Sequence, residues 1–146
     1  MLGGSPHSTL SAARSIARRG IPTYVGSRER SAVTLARSSR ACAGARHIAG
    51  RDPEGLAEEL LTFATSDFPW ANDVLVLSTS ERFIDHLDRA RSRLDERFVL
   101  AIPPEPMCQG LLDKSSSLKL ASQAGLEVPA WGAVTERDDL EALGHL

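Results

Sequence analysis

Apolar residues along this chain alternate between two spacings. Leu10, Ala13, Ile16 and Ala17 recur at helical intervals, which predicts a helix over Thr9–Arg19. Ser8 is placed to cap it, Arg18 and Arg19 suit its C-terminal dipole, and Gly20 ends it. Ile21–Val25 then reads as a short strand, Ser31–Arg37 as a short helix and Arg46–Ala49 as another strand. Asp52 caps a second helix with Pro53 at its first position, running to about Ala64 on Leu56, Leu60, Leu61 and Ala64. Val74–Leu77 is a pure apolar run between polar flanks, the pattern of a strand buried on both faces. Ser80 is expected to cap a helix that turns Phe83, Ile84, Leu87, Ala90 and Leu94 inward. Phe98–Ile102 is a further strand, stopped by Pro103-Pro104. Glu105–Leu111 should be a short helix, followed by a helix opening at Asp113-Lys114 and closing at Gly125. Trp131–Val134 reads as extended, with Thr135 capping a last turn through Leu143.

Strands alternating with helices predict an α/β fold with a parallel sheet flanked by helices. Ligands of such sheets sit beyond the carboxyl ends of the strands. A glycine-rich loop, Gly3-Gly4-Ser5-Pro6, opens the first helix. A strand of about five residues normally precedes such a loop, and here only Met1 and Leu2 do. The first strand is therefore expected to be largely missing. Its position would be central, so two sheet edges would stand open and the chain would be prone to aggregate.

Composition changes little in this picture. The 146 residues are 42% hydrophobic and 25% charged, ordinary values for a globular domain with a real core. No apolar run approaches the ~20 residues of a membrane helix. MLGGSPHS lacks the basic and apolar regions of a signal peptide. Cys42 and Cys108 are distant and read as reduced thiols of a cytoplasmic protein. His7, His47, His86 and His145 have no metal-ligand spacing, so no metal site is assigned.

Charge is unevenly divided. Residues 1–51 hold nine arginines and one acid, Glu29, whereas the remainder is acidic, for a net charge of −2. Arg14, Arg18 and Arg19 share one predicted helix and read as its solvated face. Few aromatics interleave with the arginines, so no nucleic-acid partner is expected, and no membrane partner either.

The segment LLDKSSSLKLASQAGLEVP, Leu111–Pro129, carries the strongest motif. Asp113 is a good N-cap, and Leu118, Ala121 and Ala124 share one helix face. Gly125 supplies a left-handed stop, and Pro129 holds Val128 extended. This resembles the "DK … aGvPvP" gate to the ATP-grasp domain of carboxylate–amine ligases. Three further stretches match in order: LGGSPHSTLSAARSIARRGIPTYVG, DPEGLAEELLTFA and DVLVLSTSERFIDHLDRARSRLDERFVLAIP. The whole chain thus resembles the N-terminal, pre-ATP-grasp domain of ligases of the D-aspartate-ligase and carbamoyl-phosphate-synthase-like kind. The resemblance implies a Rossmann-like domain over residues 1–112. Residues 113–146 would be linker and the start of an ATP-grasp domain whose remainder is absent. It implies a ligase that activates a carboxylate as an acyl phosphate with ATP and Mg²⁺ and joins it to an amine. In that setting Lys114 would meet nucleotide phosphate. The Mg²⁺ ligands would lie in the absent parts, so this fragment alone should bind no cofactor tightly and hold no catalytic residue. The partners would be small-molecule carboxylate and amine substrates and the missing ATP-grasp domain; a homo-oligomer is left open.

Bare chemistry allows other readings of the same residues. Gly4, Ser5 and Ser8 open a helix N-terminus and suit either an anionic acceptor substrate or a tight turn with an ordinary cap. GGSPHS is not a dinucleotide fingerprint, and Pro6 removes one donor. Ser78, Thr79, Ser80 and Glu81 follow the most apolar strand, where they form a substrate-facing wall or simply cap the next helix. His7 is a loop histidine with a general-base or a solvated reading. Lys114 sits where the helix dipole disfavours a cation, which points to function over a plain surface lysine. The alternative for the whole chain is a non-catalytic Rossmann-like module for binding or regulation.

Overall fold

The computed structural model describes residues 1–67 and 74–132. The chain divides into two compact units, Met1–Pro103 and Pro104–Leu146. The first contains β1 (Leu2–Gly3), α1 (Pro6–Ala17), β2 (Tyr24–Ser27), α2 (Arg30–Arg37), β3 (Gly44–His47), α3 (Pro53–Asp67), β4 (Val74–Val76), α4 (Glu81–Arg89), α5 (Arg91–Leu94) and β5 (Phe98–Leu100). All strand pairs are parallel, as the alternating pattern predicts.

The sheet is held together at its shortest strand. β1, β2 and β3 form one ladder and β4 and β5 another. A parallel bridge between Leu2 and Ser78 joins them. The Leu2 N–H donates to Leu77 C=O at 2.7 Å, and the Thr79 N–H donates to Leu2 C=O at 2.9 Å. On the other side the Met1 amine donates to Tyr24 C=O at 2.9 Å, and Gly26 N–H donates to Met1 C=O at 2.8 Å. The strand order is thus β3-β2-β1-β4-β5, reversing direction at β1. The first strand is short but present: Met1–Gly3 occupies the central slot and keeps the two halves joined there.

Two apolar clusters flank the sheet. One gathers Leu2, Ile48, Leu56, Leu60, Phe63, Val76, Phe83, Leu87, Leu94 and Phe98, from α3, α4, α5 and the strands. The smaller one contains Ala13, Val25 and Ala36, with Met1, Cys42 and Ala45 against it. Burying Leu2 and its neighbours contributes about 1.5–3 kcal/mol per large side chain.

Several boundaries differ from expectation. α1 begins at Pro6 with Ser5 as its N-cap, not Ser8. Proline's fixed φ suits the first helical position, and Ser8 instead turns its hydroxyl back to Ser5 C=O at 3.3 Å. β2 lies at Tyr24–Ser27 rather than Ile21–Val25, because pairing with Met1 and Leu2 sets its register. Ala90, with φ −98° and ψ 8°, separates α4 from α5 where a continuous helix was expected. Asp52 caps α3 as expected, its carboxylate accepting from Gly55 N–H at 2.7 Å.

The second unit contains α6 (Met107–Leu112) and α7 (Lys114–Gln123). Asp113 caps α7, accepting from Ser116 N–H at 2.7 Å, and Gly125 follows with φ +77°. α7 buries none of its residues, including Leu118 and Ala121. The expected extended segment and final turn beyond residue 132 lie outside the described residues.

The buried Met1 amine yields a prediction. Desolvation lowers its pKa from 8.0 to about 6, outweighing the attraction of Cys42. Between those values the unfolded chain binds the proton and the folded chain does not. Stability should therefore rise with pH from about 6 to 8, by about 2–3 kcal/mol at most. Thermal unfolding of the 146-residue chain across this window should show the rise, and Nα-acetylated chain should not. Equal slopes for both would refute the assignment.

Candidate functional site

A cleft of about 490 Å³ opens at the carboxyl ends of β1, β2 and β4. This is where the strand order reverses, and where open parallel sheets bind ligands. Three loops build it. The loop after β1 contributes Gly3 and Gly4, the loop after β2 contributes Arg28 and Glu29, and the β4–α4 connection contributes Thr79 through Phe83.

The glycines are there for steric reasons. A Cβ on Gly3 would meet Thr9 Oγ1 at 1.7 Å. A Cβ on Gly4 would come within 3.1 Å of Ser80 Cβ, so these two loops approach closely at the cleft. Ser27 ties the first two loops together. It is fully buried, donates its hydroxyl to Gly3 C=O at 2.8 Å and accepts from Glu29 N–H at 3.0 Å.

Arg28 is fixed from three directions. Its Nε and Nη2 donate to Gly50 C=O at 2.9 and 2.6 Å. Its guanidinium lies 4.8 Å above the Phe83 ring, a cation–π distance. Nη2 also meets His86 Nδ1 at 3.0 Å. Arginine has only donors, so His86 Nδ1 accepts and the imidazole is neutral. The receiving loop is itself held: Glu59 accepts from Ala49 N–H and Gly50 N–H. His47 Nε2 contacts Arg28 C=O at 3.1 Å. Burial, and then the positive charges of Arg82 and Arg51, push the Arg28 pKa down. Glu59 and Asp52 offset this only in part. The cleft wall therefore carries concentrated positive charge at Arg28 and Arg82 beside the carboxylates Glu29 and Glu81.

The structure brings together four of the residues expected from sequence: Gly4, Thr79, Ser80 and Glu81 line the cleft. Ser5 is the N-cap of α1 and Ser8 lies in its first turn; Ser5 C=O also accepts from Thr9 Oγ1 at 2.6 Å. Ser78 brackets the β4–α4 turn: its hydroxyl accepts from Ser80 N–H and donates to Ser80 C=O, both at 3.1 Å. Ser80 is the N-cap of α4 without a side-chain cap bond, and it lines the cleft. Lys114 belongs to the second unit, exposed at the first position of α7. Beside it Asp113 is held at about 2 by hydrogen bonds from Ser115 and then Ser116. Arg28, Glu29, Arg82 and Phe83 are additions. Their signal in the sequence was position just past a strand and just past a helix start.

No family model matches the chain, and no curated protein sequence matches it. Among solved structures, the chain is similar to the biotin carboxylase domain of a single-chain bacterial carboxylase. The TM-score is 0.53 and the identity 18%, over 99% of this chain and 34% of that one. The likeness is one of fold, and this chain spans about a third of that structure's length. Among the described residues no helix is long and apolar enough to cross a membrane.

The neutral His86 makes the Arg28 anchor pH-dependent. Desolvation, followed by Arg28, lowers its pKa below 6.5. The unfolded chain takes up the proton first, so the stability His86 contributes above pH 6.5 is lost as pH falls through that value. In Nα-acetylated chain, the thermal midpoint should drop as the pH falls below 6.5. His86→Gln keeps an acceptor for Arg28 and should flatten the drop; an unchanged profile would count against the anchor.

Proposed function

We propose that this chain is the N-terminal α/β domain of an ATP-dependent carboxylate–amine ligase of the ATP-grasp type. The observation that carries the reading is the charged cleft at the strand-order reversal, in a fold shared with a biotin carboxylase domain. The ordered motifs ending in Asp113-Lys114 and Gly125 support it independently.

In this reading the domain forms one wall of the acceptor site. Arg28 and Arg82 suit a carboxylate or phosphoryl oxygen by charge-assisted hydrogen bonding. Glu29 and Glu81 suit an ammonium, so the mixed lining fits a small ligand carrying both groups. Thr79 and Ser80 add hydroxyls that orient it. Lys114 would hold a nucleotide phosphate from the second unit. ATP would supply the phosphoryl group that activates the carboxylate. Magnesium is a separate matter: among the described residues no group of three or more His, Cys, Asp or Glu stands together to hold a metal ion.

Two experiments test the two halves of this reading. The 146-residue chain, titrated with small amino acids and followed by amide NMR shifts, should respond around Gly4, Thr79 and Glu81. Arg82→Ala should weaken that response by roughly 10-fold, the loss of one charge-assisted contact, and Arg18→Ala should not. Shifts spread evenly over the surface would remove the cleft from consideration. In a polypeptide carrying this domain and an ATP-grasp domain, Lys114→Ala should lower kcat/KM for ATP by roughly 10- to 150-fold. Lys114→Arg should rescue it only in part, because a planar fork does not replace a point charge. Lys119→Ala is the control; if both lysine variants stay near wild type, Lys114 is a surface lysine.

A further inference from the structure

Arg28 is a cation held without a counter-ion. Among the described residues none of the ion pairs includes it. Its partners are neutral: Gly50 C=O, the Phe83 ring and His86 Nδ1. Glu59 and Asp52 act on its charge only through space. Fastening a guanidinium in a cleft while its charge stays unpaired is unfavourable, and an anionic ligand would relieve it.

The donor count says where such a ligand can bond. A guanidinium has one N–H on Nε and two on each terminal nitrogen. Nε donates to Gly50 C=O. Nη2 spends one N–H on Gly50 C=O and the other on His86 Nδ1. Only Nη1 has no protein acceptor among the described residues. Arginine offers a carboxylate two paired edges, Nε with Nη2 and Nη1 with Nη2, and here each includes an occupied nitrogen. A ligand therefore meets Arg28 at a single nitrogen, and a paired contact is left to Arg82.

What holds that nitrogen in place lies outside the cleft. The loop presenting Gly50 starts at Ile48, which is fully buried and donates its N–H to Ser27 C=O at 2.9 Å. Glu59, on α3, accepts the next two N–H groups, from Ala49 at 3.0 Å and from Gly50 at 2.9 Å. The start of α3 also closes on this loop, since a Cβ on Gly50 would come within 2.6 Å of the Gly55 carbonyl carbon. Neither Glu59 nor Gly50 lines the cleft. The contacts of Glu59 reach a ligand only through Gly50 and Arg28.

We propose that Glu59 is a positioning residue of the cleft: by holding Gly50 C=O it fixes Arg28 so that Nη1 alone meets the ligand's anionic group. The inference rests on the reading of the cleft as a ligand site, and adds which nitrogen binds and what aims it. The requirement on Glu59 is geometric, because one oxygen, Oε1, serves both the Ala49 and the Gly50 N–H. Glutamine keeps that oxygen and alanine does not.

The test uses the 146-residue chain with glycine as the probe, followed by amide and guanidinium ¹⁵N NMR. In the wild type, glycine should shift the Arg28 Nη1 signal and leave Arg28 Nε, bound to Gly50, nearly still. Glu59→Ala should weaken glycine binding by roughly 3- to 10-fold, part of the worth of one charge-assisted contact. Glu59→Gln should bind close to wild type. Glu58→Ala, the same charge removed from the neighbouring position, should bind as wild type does. Methylamine has no anionic group and should bind Glu59→Ala and wild type alike. An equal loss in Glu59→Gln and Glu59→Ala would mean that charge, not geometry, acts here, and would overturn the proposal. So would a Glu59→Ala chain that binds glycine undiminished, or an Arg28 Nε that shifts along with Nη1. The wild-type guanidinium signals decide the matter alone if Glu59→Ala fails to fold. Silence at Gly4, Thr79 and Glu81 on adding glycine removes the reading of the cleft as well, whereas a response there with the wrong Arg28 or Glu59 pattern removes this inference only.

Discussion

The fold of the first unit depends on how two adjacent residues divide their hydrogen bonds. Met1 bonds only toward β2, and Leu2 only toward β4. A parallel strand does this by construction, since successive residues point their backbone groups to opposite neighbours. The consequence is large here because β1 contributes so few rungs. The two bonds of Leu2, each worth about 0.5–1.5 kcal/mol net, join the two ladders, and the two of Met1 tie this strand to β2. The buried Leu2 side chain adds apolar packing on the α3 face. Without this seam, the loop carrying Gly4 and the loop carrying Ser80 would have no common reference.

From that seam, order passes outward to the cleft through bonds that need no ligand. Ser27 fastens the loop after β2 to Gly3 C=O. Arg28 then reaches Gly50 C=O and His86 and rests against Phe83. Glu59 immobilises the loop that presents Gly50. A long cationic side chain loses rotamer entropy when it binds a partner, and here much of that loss has already been taken in folding. Arg28 is thus a fixed element of the wall, whereas Arg82, exposed on the first turn of α4, remains free to adjust.

What the sequence disclosed, and what it withheld, follows from the range of the forces involved. Helices were legible because their signals are local: Pro53 after Asp52, Asp113 before Lys114, glycines at the ends. The Val74–Leu77 run announced a strand, but not one buried on both faces: Leu75 at the centre of β4 is 54% exposed while Val76 is buried. β2 was misplaced because its register is set by Met1 and Leu2, more than twenty residues away in sequence. That error hid Arg28, which stands directly after the true strand end and well beyond the expected one. Ser8 has the residue type of a cap, but Pro6, whose fixed φ suits the first helical position, moves the helix start forward and makes Ser5 the cap. Of the cleft, the β4 side was readable from strand and cap alone. The arginine side required knowing which distant loop meets it.

The glycine pair shows why a familiar loop composition is weak grounds for a ligand. Gly3 is required because Thr9 occupies the space a side chain would need. Gly4 lets the β1 loop close on Ser80. Neither constraint involves a phosphate. Pro6 lacks the N–H that a phosphate cradle at the start of α1 would use. Ser5 and Thr9 meanwhile satisfy each other through the Ser5 carbonyl. The cation-rich face of this cleft comes instead from Arg28 and Arg82, side chains on two other loops. Anion recognition there would rest on guanidinium groups, with the glycine loop setting the width of the opening.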